Sequence, residues 1–302
     1  MQVGIIGMGF VGTSIAISTL HLGVATELLL NDQKAGLAEG EAMDFAQGSA
    51  FYRSSLVRVS TIEDMRNADA VIVTAGRNGA PGESRLDLLK GNAEVVRGIC
   101  VRLRGLRGLL IIVTNPVDVL TEVALEASRL DPSRVFGTGT LLDTARLRQI
   151  LGRELRIDPR SVHAQVVGEH GDSEVPLWHS ARVGGKSVRS WAGWNREREA
   201  TLGTEVRRAA HEIIQRKGAT NHAIGLVTAS LLGWALRDEK RVLTVSRMQA
   251  GALGITGVAL SLPTIVGRDG ATTIIEPDLD EAEHAALLRS AEILKRAKQS
   301  LA

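Results

Sequence analysis

Short, continuous apolar runs alternate with stretches of helical periodicity through the first half of the chain. They predict strands at Val3–Ile6, Glu27–Leu30, Leu56–Val59, Ala70–Thr74, Leu109–Thr114 and Val135–Gly137. Helices are predicted between several of these strands, at Gly9–Leu22, Leu37–Gln47, Leu86–Leu103 and Val117–Arg129. Apolar strands joined by helices are typical of a parallel sheet that is covered on both faces. We therefore predict a doubly wound α/β domain of the Rossmann type at residues 1–140.

The pattern changes in the second half of the chain. Helices are predicted at Asp143–Leu151, Arg198–Lys217, Ala223–Leu236 and Leu279–Ala297. Strands are predicted at Val162–Val167, Val242–Ser246, Gly257–Val266 and Thr272–Ile275. This mixture indicates an α+β substrate domain at residues 141–302 that packs closely against the first domain.

Composition and charge narrow the class of protein. The 302 residues are 44% hydrophobic and 23% charged, with a net charge of +2, which is ordinary for a soluble globular protein. The densest basic cluster, Arg102, Arg104 and Arg107, has no interleaved aromatic residues, so we expect no nucleic-acid partner. The single cysteine, Cys100, excludes an intrachain disulfide and agrees with a reducing compartment. No apolar run reaches the ~20 residues of a membrane span, and we expect a cytoplasmic protein without membrane contact.

A glycine motif follows the first predicted strand and opens the first predicted helix. Gly7-Met8-Gly9-Phe10-Val11-Gly12 matches the dinucleotide fingerprint in the strand–turn–helix context that its mechanism requires. The glycines allow a tight turn, a close approach to a pyrophosphate and close packing of helix on strand. The free N–H groups of the helix N-terminus then face the anion.

Asp32 follows the second predicted strand, twenty residues beyond Gly12. A carboxylate there accepts hydrogen bonds from the ribose hydroxyls and repels a 2′-phosphate, so NAD is favoured over NADP. FAD uses a similar fingerprint, but the remaining candidate residues suit a nicotinamide better. The alternative is a glycine-rich turn followed by an exposed aspartate.

Four residues carry the chemistry that reduces a 2-oxo acid. His170, in the turn Gly168–Asp172, titrates near neutrality and suits a proton donor, with Asp143 as the carboxylate that orients it. Arg146 can grip a carboxylate with two parallel hydrogen bonds. Arg85 ends a polar, glycine-containing segment that could close over the substrate. Taken singly, each has a structural alternative: a core histidine, an intrahelical ion pair or a surface arginine.

In combination, these motifs resemble the L-lactate/malate dehydrogenase family over essentially the whole chain. The matching segments are Gly7–Gly12, Asp32, Thr74–Gly76, Pro81–Arg85, Thr114–Asp118, Gly137–Arg146, Gly168–Asp172 and Lys217–Thr220. Stretches such as Asp143–Gly152 are more similar to the lactate branch. The resemblance implies that NAD is the cofactor, that His170 is the acid/base with Asp143 as its partner, that Arg146 holds the substrate carboxylate and that Arg85 polarises the carbonyl.

The resemblance also implies further contacts. Asn115 is expected at the nicotinamide and substrate, Thr220 in the substrate pocket and Ile224 against the nicotinamide. Gly76 and Val11 are expected in the cofactor site.

One position departs from the family pattern. Six residues before the loop arginine, lactate dehydrogenases have glutamine and malate dehydrogenases have arginine, whereas this chain has Gly79. A buried dicarboxylate would lack its counter-charge there, so malate is disfavoured. We expect pyruvate/lactate activity with tolerance for larger 2-oxo acids. The alternatives are a malate dehydrogenase, an L-2-hydroxyisocaproate-type dehydrogenase and, from another class, a nucleotide-sensing protein on a retired dehydrogenase fold.

The resemblance finally implies regulation and assembly. Arg148 and His163 occupy the two positions that bind fructose 1,6-bisphosphate in similar bacterial lactate dehydrogenases, and both are sensible phosphate ligands. The alternative is that they serve only a subunit interface. A homotetramer is expected.

Overall fold

The computed structural model describes residues 1–77 and 84–301. Its first half forms six parallel strands: β1 Gln2–Ile6, β2 Glu27–Asn31, β3 Leu56–Val59, β4 Ala70–Val73, β5 Leu109–Ile112 and β6 Val135–Gly137. They are ordered β3-β2-β1-β4-β5-β6. The helices α1 Phe10–His21, α2 Ala35–Gln47, α3 Arg85–Arg102 and α4 Val117–Ser128 connect them. The doubly wound α/β fold is thereby confirmed.

Apolar sequence and burial agree along the central strands. Every residue of β4 and β5 is buried, as expected for strands that helices cover on both faces. Two large clusters of buried side chains occupy the two faces of the sheet, one including Val73 and Ile112 and the other Ile72 and Ile111. Side chains alternate between the two faces along each strand.

The second half contains four further helices among the described residues: α5 Leu141–Leu155, α6 Arg196–Lys217, α7 His222–Leu236 and α8 Glu281–Gln299. Five strands of two residues each follow α5: β7 Val162–His163, β8 Val166–Val167, β9 Val175–Pro176, β10 Arg182–Val183 and β11 Lys186–Ser187. Three longer strands, β12 Arg241–Ala250, β13 Thr256–Gly267 and β14 Gly270–Ile274, precede α8.

The central sheet continues across the middle of the chain. β12 pairs antiparallel with β6 through Ser246 and Gly137, and β13 and β14 extend the sheet to nine strands. The predicted division into residues 1–140 and 141–302 therefore runs between hydrogen-bonded neighbours of one sheet, and it stays a prediction.

One predicted strand is divided in two. The sequence predicts a single strand at Val162–Val167, but β7 pairs with β10 whereas β8 pairs with β9. The chain thus passes from one small sheet to another within six residues. The two-residue strands between Val175 and Ser187 were not predicted, because so short a segment has no visible alternation.

The two halves also pack through helices. α7 lies across α1, and a Cβ on Gly225 would come within 2.7 Å of Ser14, so a glycine is needed for this approach. The side chain of Asn221 donates to Ser14 Oγ at 2.8 Å. Within residues 1–77 and 84–301, no helix is long and apolar enough to cross a membrane.

Candidate active site

The glycine motif forms the turn between β1 and α1. Gly7 has φ +101°, and a Cβ there would come within 2.6 Å of the Ala75 backbone nitrogen. A Cβ on Gly12 would collide with the carbonyl oxygen of Gly7. A Cβ on Gly9 would meet nothing within 4 Å among the described atoms. The outer glycines thus let backbone approach backbone, whereas the surface at Gly9 is open to a ligand at the N-terminus of α1.

Asp32 stands beside this turn, immediately after β2. Its Oδ2 accepts from the backbone N–H of Met8 at 2.8 Å, and its Oδ1 accepts from that of Lys34 at 2.9 Å. The side chain is half-buried, and each oxygen keeps a second lone pair. The carboxylate is therefore held where a ribose bound over the turn can donate to it.

Gly76 and Asn115 follow the neighbouring strands β4 and β5, at the same edge of the sheet. A Cβ on Gly76 would lie 2.5 Å from Thr114 Cγ2, so only glycine fits between the two loops. Asn92 of α3 joins them, since its Nδ2 donates to the carbonyls of Asn115 at 3.0 Å and Arg77 at 3.3 Å. Ligands bind beyond the carboxyl ends of parallel strands in folds of this type.

The turn that carries His170 is anchored to several elements. Gly168, with φ +85°, exchanges two backbone hydrogen bonds with Ser261 of β13, at 2.9 and 3.0 Å. The backbone N–H of Glu169 donates to Ser290 Oγ of α8 at 2.8 Å. The backbone N–H of His170 donates to Asp118 Oδ2 of α4 at 2.8 Å.

The structure brings His170, Asp143 and Arg146 together as predicted. Nδ1 of His170 lies 2.5 Å from Oδ2 of Asp143, and Nη1 of Arg146 donates to Oδ1 of Asp143 at 2.7 Å. Asp143 is only 2% exposed, whereas His170 keeps 24% of its side chain open. The carboxylate therefore holds the imidazole by one nitrogen and leaves the other for a reactant.

Opposing effects set the charges of this pair. Burial disfavours protonated His170, but the charge of Asp143 and the hydrogen bond to it prevail and raise the pKa of His170 to about 9. Burial would likewise raise the pKa of Asp143, but the charges and hydrogen bonds of His170 and Arg146 hold it below its ordinary value. At neutral pH the site holds an imidazolium, and hence a proton to give.

Two further carboxyl groups beside this pair were not predicted. Asp118 belongs to the segment Thr114–Asp118 that carries the family resemblance, but the sequence gives it no role. Glu174 is 5% exposed, and its Oε1 has no hydrogen-bond partner within the described part of the chain. Burial and the charge of Asp143 raise the pKa of Glu174 to about 8, although His170 and two arginines oppose the shift. Nothing in the sequence around Glu174, five residues beyond Glu169, marks it as a site residue.

The structure describes some of the other predicted site residues fully and others only in part or not at all. Ile224, in the first turn of α7, is half-buried and packs against the same apolar cluster as Val11. Thr220 lies half-buried in the loop between α6 and α7. Arg85 is the first residue of α3, but its side chain lies outside the described residues, and Gly79 lies outside them entirely.

Arg148 and His163 lie near each other on α5 and β7. Nε of Arg148 donates to the carbonyl of Ala164, next to His163, at 3.0 Å. Burial lowers the pKa of Arg148, whereas His163 is exposed. Arg148 also lines a cavity of about 490 Å³ between α5, α7 and β12.

The donor set fits a dinucleotide and a small organic acid. The open turn at Gly9 suits a pyrophosphate, and Asp32 suits unphosphorylated ribose. No group of three or more potential metal ligands occurs at residues 1–77 and 84–301. The arrangement can therefore bind a nicotinamide dinucleotide and present one acidic proton and one arginine to a second molecule.

Comparisons with known proteins agree with this geometry. Residues 1–137 match the family model described as lactate/malate dehydrogenase, NAD binding domain, and residues 140–302 match its alpha/beta C-terminal domain. An L-lactate dehydrogenase of Thermus aquaticus is 46% identical over 309 residues, covering 100% of this chain and 99% of that protein. L-lactate dehydrogenase 2 of Lactococcus lactis is 43% identical, covering 99% of this chain and 98% of that protein. The crystal structure of a minor L-lactate dehydrogenase from Enterococcus mundtii in the ligands-bound form has a TM-score of 0.97 at 40% identity, covering 100% of this chain and 98% of that chain.

Proposed function

The chain belongs to the lactate/malate dehydrogenase family, and we propose from this premise that it is an NAD-dependent L-lactate dehydrogenase that interconverts pyruvate and L-lactate. The observation that carries the proposal is the buried Asp143, which binds both His170 and Arg146. The relatives described above are lactate enzymes, which favours lactate over malate or L-2-hydroxyisocaproate. The complete set of candidate residues also disfavours a purely nucleotide-sensing role.

His170 supplies the proton of the reduction. NADH, when bound, supplies a hydride to the carbonyl carbon of the 2-oxo acid. The Nε2 proton of His170 passes to the carbonyl oxygen, which completes the hydroxyl group. Asp143 keeps the other proton on Nδ1 and stabilises the imidazolium before transfer. In the reverse reaction, neutral His170 takes the hydroxyl proton of lactate.

Arg146 orients the substrate. One of its terminal nitrogens is engaged by Asp143, and its remaining N–H groups are directed by that contact. We assign them to the carboxylate of the 2-oxo acid, because a fixed guanidinium positions a carboxylate rigidly. Asn115 and Thr220 complete the substrate site, and Arg85 polarises the carbonyl.

Gly79 sets the range of substrates in this proposal. A glycine neither pairs with a second carboxylate nor fills the space beside the third carbon of the substrate. The test measures kcat/KM for pyruvate, oxaloacetate and 2-oxoisocaproate with NADH. Pyruvate is expected to lead with measurable turnover of 2-oxoisocaproate, and a tenfold preference for oxaloacetate would contradict the proposal.

Regulation by fructose 1,6-bisphosphate is proposed at Arg148 and His163. The contact of Arg148 with the residue next to His163 supports a shared anion site. Titration of the sugar bisphosphate at low pyruvate is expected to lower the KM for pyruvate. An unchanged KM would remove this part of the proposal.

A cytoplasmic homotetramer is the proposed state of the protein. Ala38 is the sole buried residue of α2, while Met43 and the nearby Phe51 are 65% and 91% exposed. Such apolar exposure is typical of a surface that another protomer covers. Sedimentation equilibrium at micromolar concentration tests this assembly, and a monomeric mass would contradict it.

A further inference from the structure

A second carboxylate reaches the catalytic turn from a different part of the chain. Oδ2 of Asp118 accepts the backbone N–H of His170 at 2.8 Å. Asp118 is in the first turn of α4, three residues after Asn115, and is 1% exposed. It therefore connects the loop at the carboxyl end of β5 with a turn that lies fifty-two residues later in the sequence.

We propose that Asp118 is a positioning residue for proton transfer, which holds His170 in register with Asn115 and adds negative charge behind the imidazole. The proposal rests on the proposed role of His170 as proton donor. Asp118 does this through the backbone and through its charge, without a contact to the reacting atoms.

Only one oxygen of Asp118 is held by a hydrogen bond of normal geometry. Its Oδ1 is buried and makes no hydrogen bond of normal geometry within the described part of the chain, although the Ser246 hydroxyl is near enough to lower the pKa of Asp118. A buried carboxylate oxygen without a partner costs stability. The N-terminal turn of α4 partly offsets this cost, because the helix dipole favours negative charge there.

The charge of Asp118 acts in addition to that of Asp143. The charged groups that act on His170 include Asp118 of α4, Asp143 and Arg146 of α5, and Glu174 beyond the catalytic turn. Glu169, the neighbour of His170 in the chain, acts on Asp118. Asp118 favours the imidazolium, while Arg146 disfavours it. Burial raises the pKa of Asp118 to about 6, so this residue is ionised over the range in which His170 titrates.

The experiment compares Asp118→Asn with the control Glu122→Gln. Asparagine keeps an oxygen that can accept the N–H of His170 but removes the charge. Glu122 is a buried carboxylate one turn further along α4 that faces Lys298. Steady-state rates of pyruvate reduction with NADH are measured from pH 5.5 to 10, and NADH affinity is measured by fluorescence.

In the wild type, kcat/KM for pyruvate should fall as pH rises through about 9, where His170 loses its proton. Asp118→Asn is expected to move this midpoint down by roughly half a unit to one unit, because one favourable charge is lost. Its kcat at pH 6 should stay within about threefold of the wild type, since His170 is protonated there in both proteins. Glu122→Gln should leave the midpoint unchanged.

A second variant, Asp118→Ala, tests the anchoring of the backbone. It is expected to lower kcat at pH 6 about tenfold without changing NADH affinity, because the N–H of His170 loses its acceptor. If Asp118→Ala does not fold, the pH profile of Asp118→Asn alone tests the proposed role of Asp118. An unshifted midpoint in Asp118→Asn overturns the proposal. A wild type that does not reduce pyruvate would instead overturn the proposed function.

Discussion

The glycine turn at Gly7–Gly12 and the histidine turn at Gly168–Asp172 both present groups to a ligand, but different interactions hold them. Backbone sterics determine the first, since Cβ atoms at Gly7 and Gly12 would meet neighbouring backbone. Side chains from distant elements hold the second, through Asp118, Ser290 and Asp143. A site for a large cofactor can thus be built from local geometry, whereas a reactive proton needs charges that only the folded chain assembles.

The largest expected loss of activity comes from a substitution in the histidine turn. His170→Asn removes the proposed proton donor and should lower kcat for pyruvate about 10²- to 10⁴-fold, which is the usual contribution of general acid catalysis. NADH affinity should not change, because the cofactor turn is held independently. Steady-state kinetics and fluorescence titration measure both quantities.

The exposed His179→Asn serves as the control for His170→Asn. Turnover of His170→Asn within tenfold of the wild type would show that another group supplies the proton.

The opposite result is expected for the glycine turn. Gly12→Ala introduces a Cβ that collides with the carbonyl of Gly7, so the turn must shift away from the pyrophosphate. We expect NADH binding to weaken about 100-fold, with the Asp143–His170 pair intact. The control is Gly98→Ala in α3, where a Cβ meets no atom within 4 Å. Equal NADH affinity in the two variants would contradict a steric origin.

A substitution of Asp32 tests whether its charge selects the cofactor, because the glycine turn Gly7–Gly12 carries no charged residue of its own. Asp32→Asn keeps one accepting oxygen, replaces the other by an NH2 group that cannot accept from Met8 or Lys34, and removes the repulsion of a 2′-phosphate. The ratio of kcat/KM with NADPH to that with NADH should rise about tenfold, which corresponds to roughly 1.4 kcal/mol. Glu27→Gln, at the start of the strand β2 that precedes Asp32, is the control. An unchanged ratio would mean that shape alone selects the cofactor.

The last expected effect is on stability and not on activity, and it concerns the charges that surround the histidine turn. Glu174 has a pKa of about 8 in the folded protein and an ordinary value near 4.5 when unfolded. Between these values the folded state retains a proton that the unfolded state has lost, so stability falls as pH rises. Glu174→Gln removes this loss of stability, which is on the order of 4 kcal/mol between pH 5 and pH 9.

Thermal unfolding at the two pH values measures the effect of Glu174→Gln. The melting temperature of the variant relative to wild type should rise by about 5 °C on going from pH 5 to pH 9. The exposed Glu212→Gln is the control. A difference that does not depend on pH would exclude ionisation of Glu174 as the cause.

The sequence predicted best what local physics determines. The six parallel strands and the helices between them follow from apolar runs and glycine spacing, and the structure confirms them within one or two residues at most ends. The sequence did not show which strands pair when they lie far apart in the chain. Nothing in Val162–Val167 shows that its two ends join different sheets, because the partner strands of two residues carry no pattern.

The same distinction between local and long-range features applies to the site residues. His170, Asp143 and Arg146 could be predicted because they stand in motifs, and the structure brings them within hydrogen-bonding distance. The partnership of Asp118 with His170 could not, because it joins residues fifty-two positions apart through a backbone N–H. Glu174 is defined by burial, and burial of one carboxyl group has no signature in a single sequence.

Because one sheet runs through both halves of the chain, cutting the chain between them would leave strands uncovered. β6 lies between β5 and β12, so a fragment ending at residue 140 would expose the backbone of an apolar strand. The hairpin of β12 and β13 would lose the neighbour that covers its own edge. Uncovered strands of this kind pair with other chains and aggregate. Neither residues 1–140 nor residues 141–302 are therefore expected to be a modular unit for domain exchange.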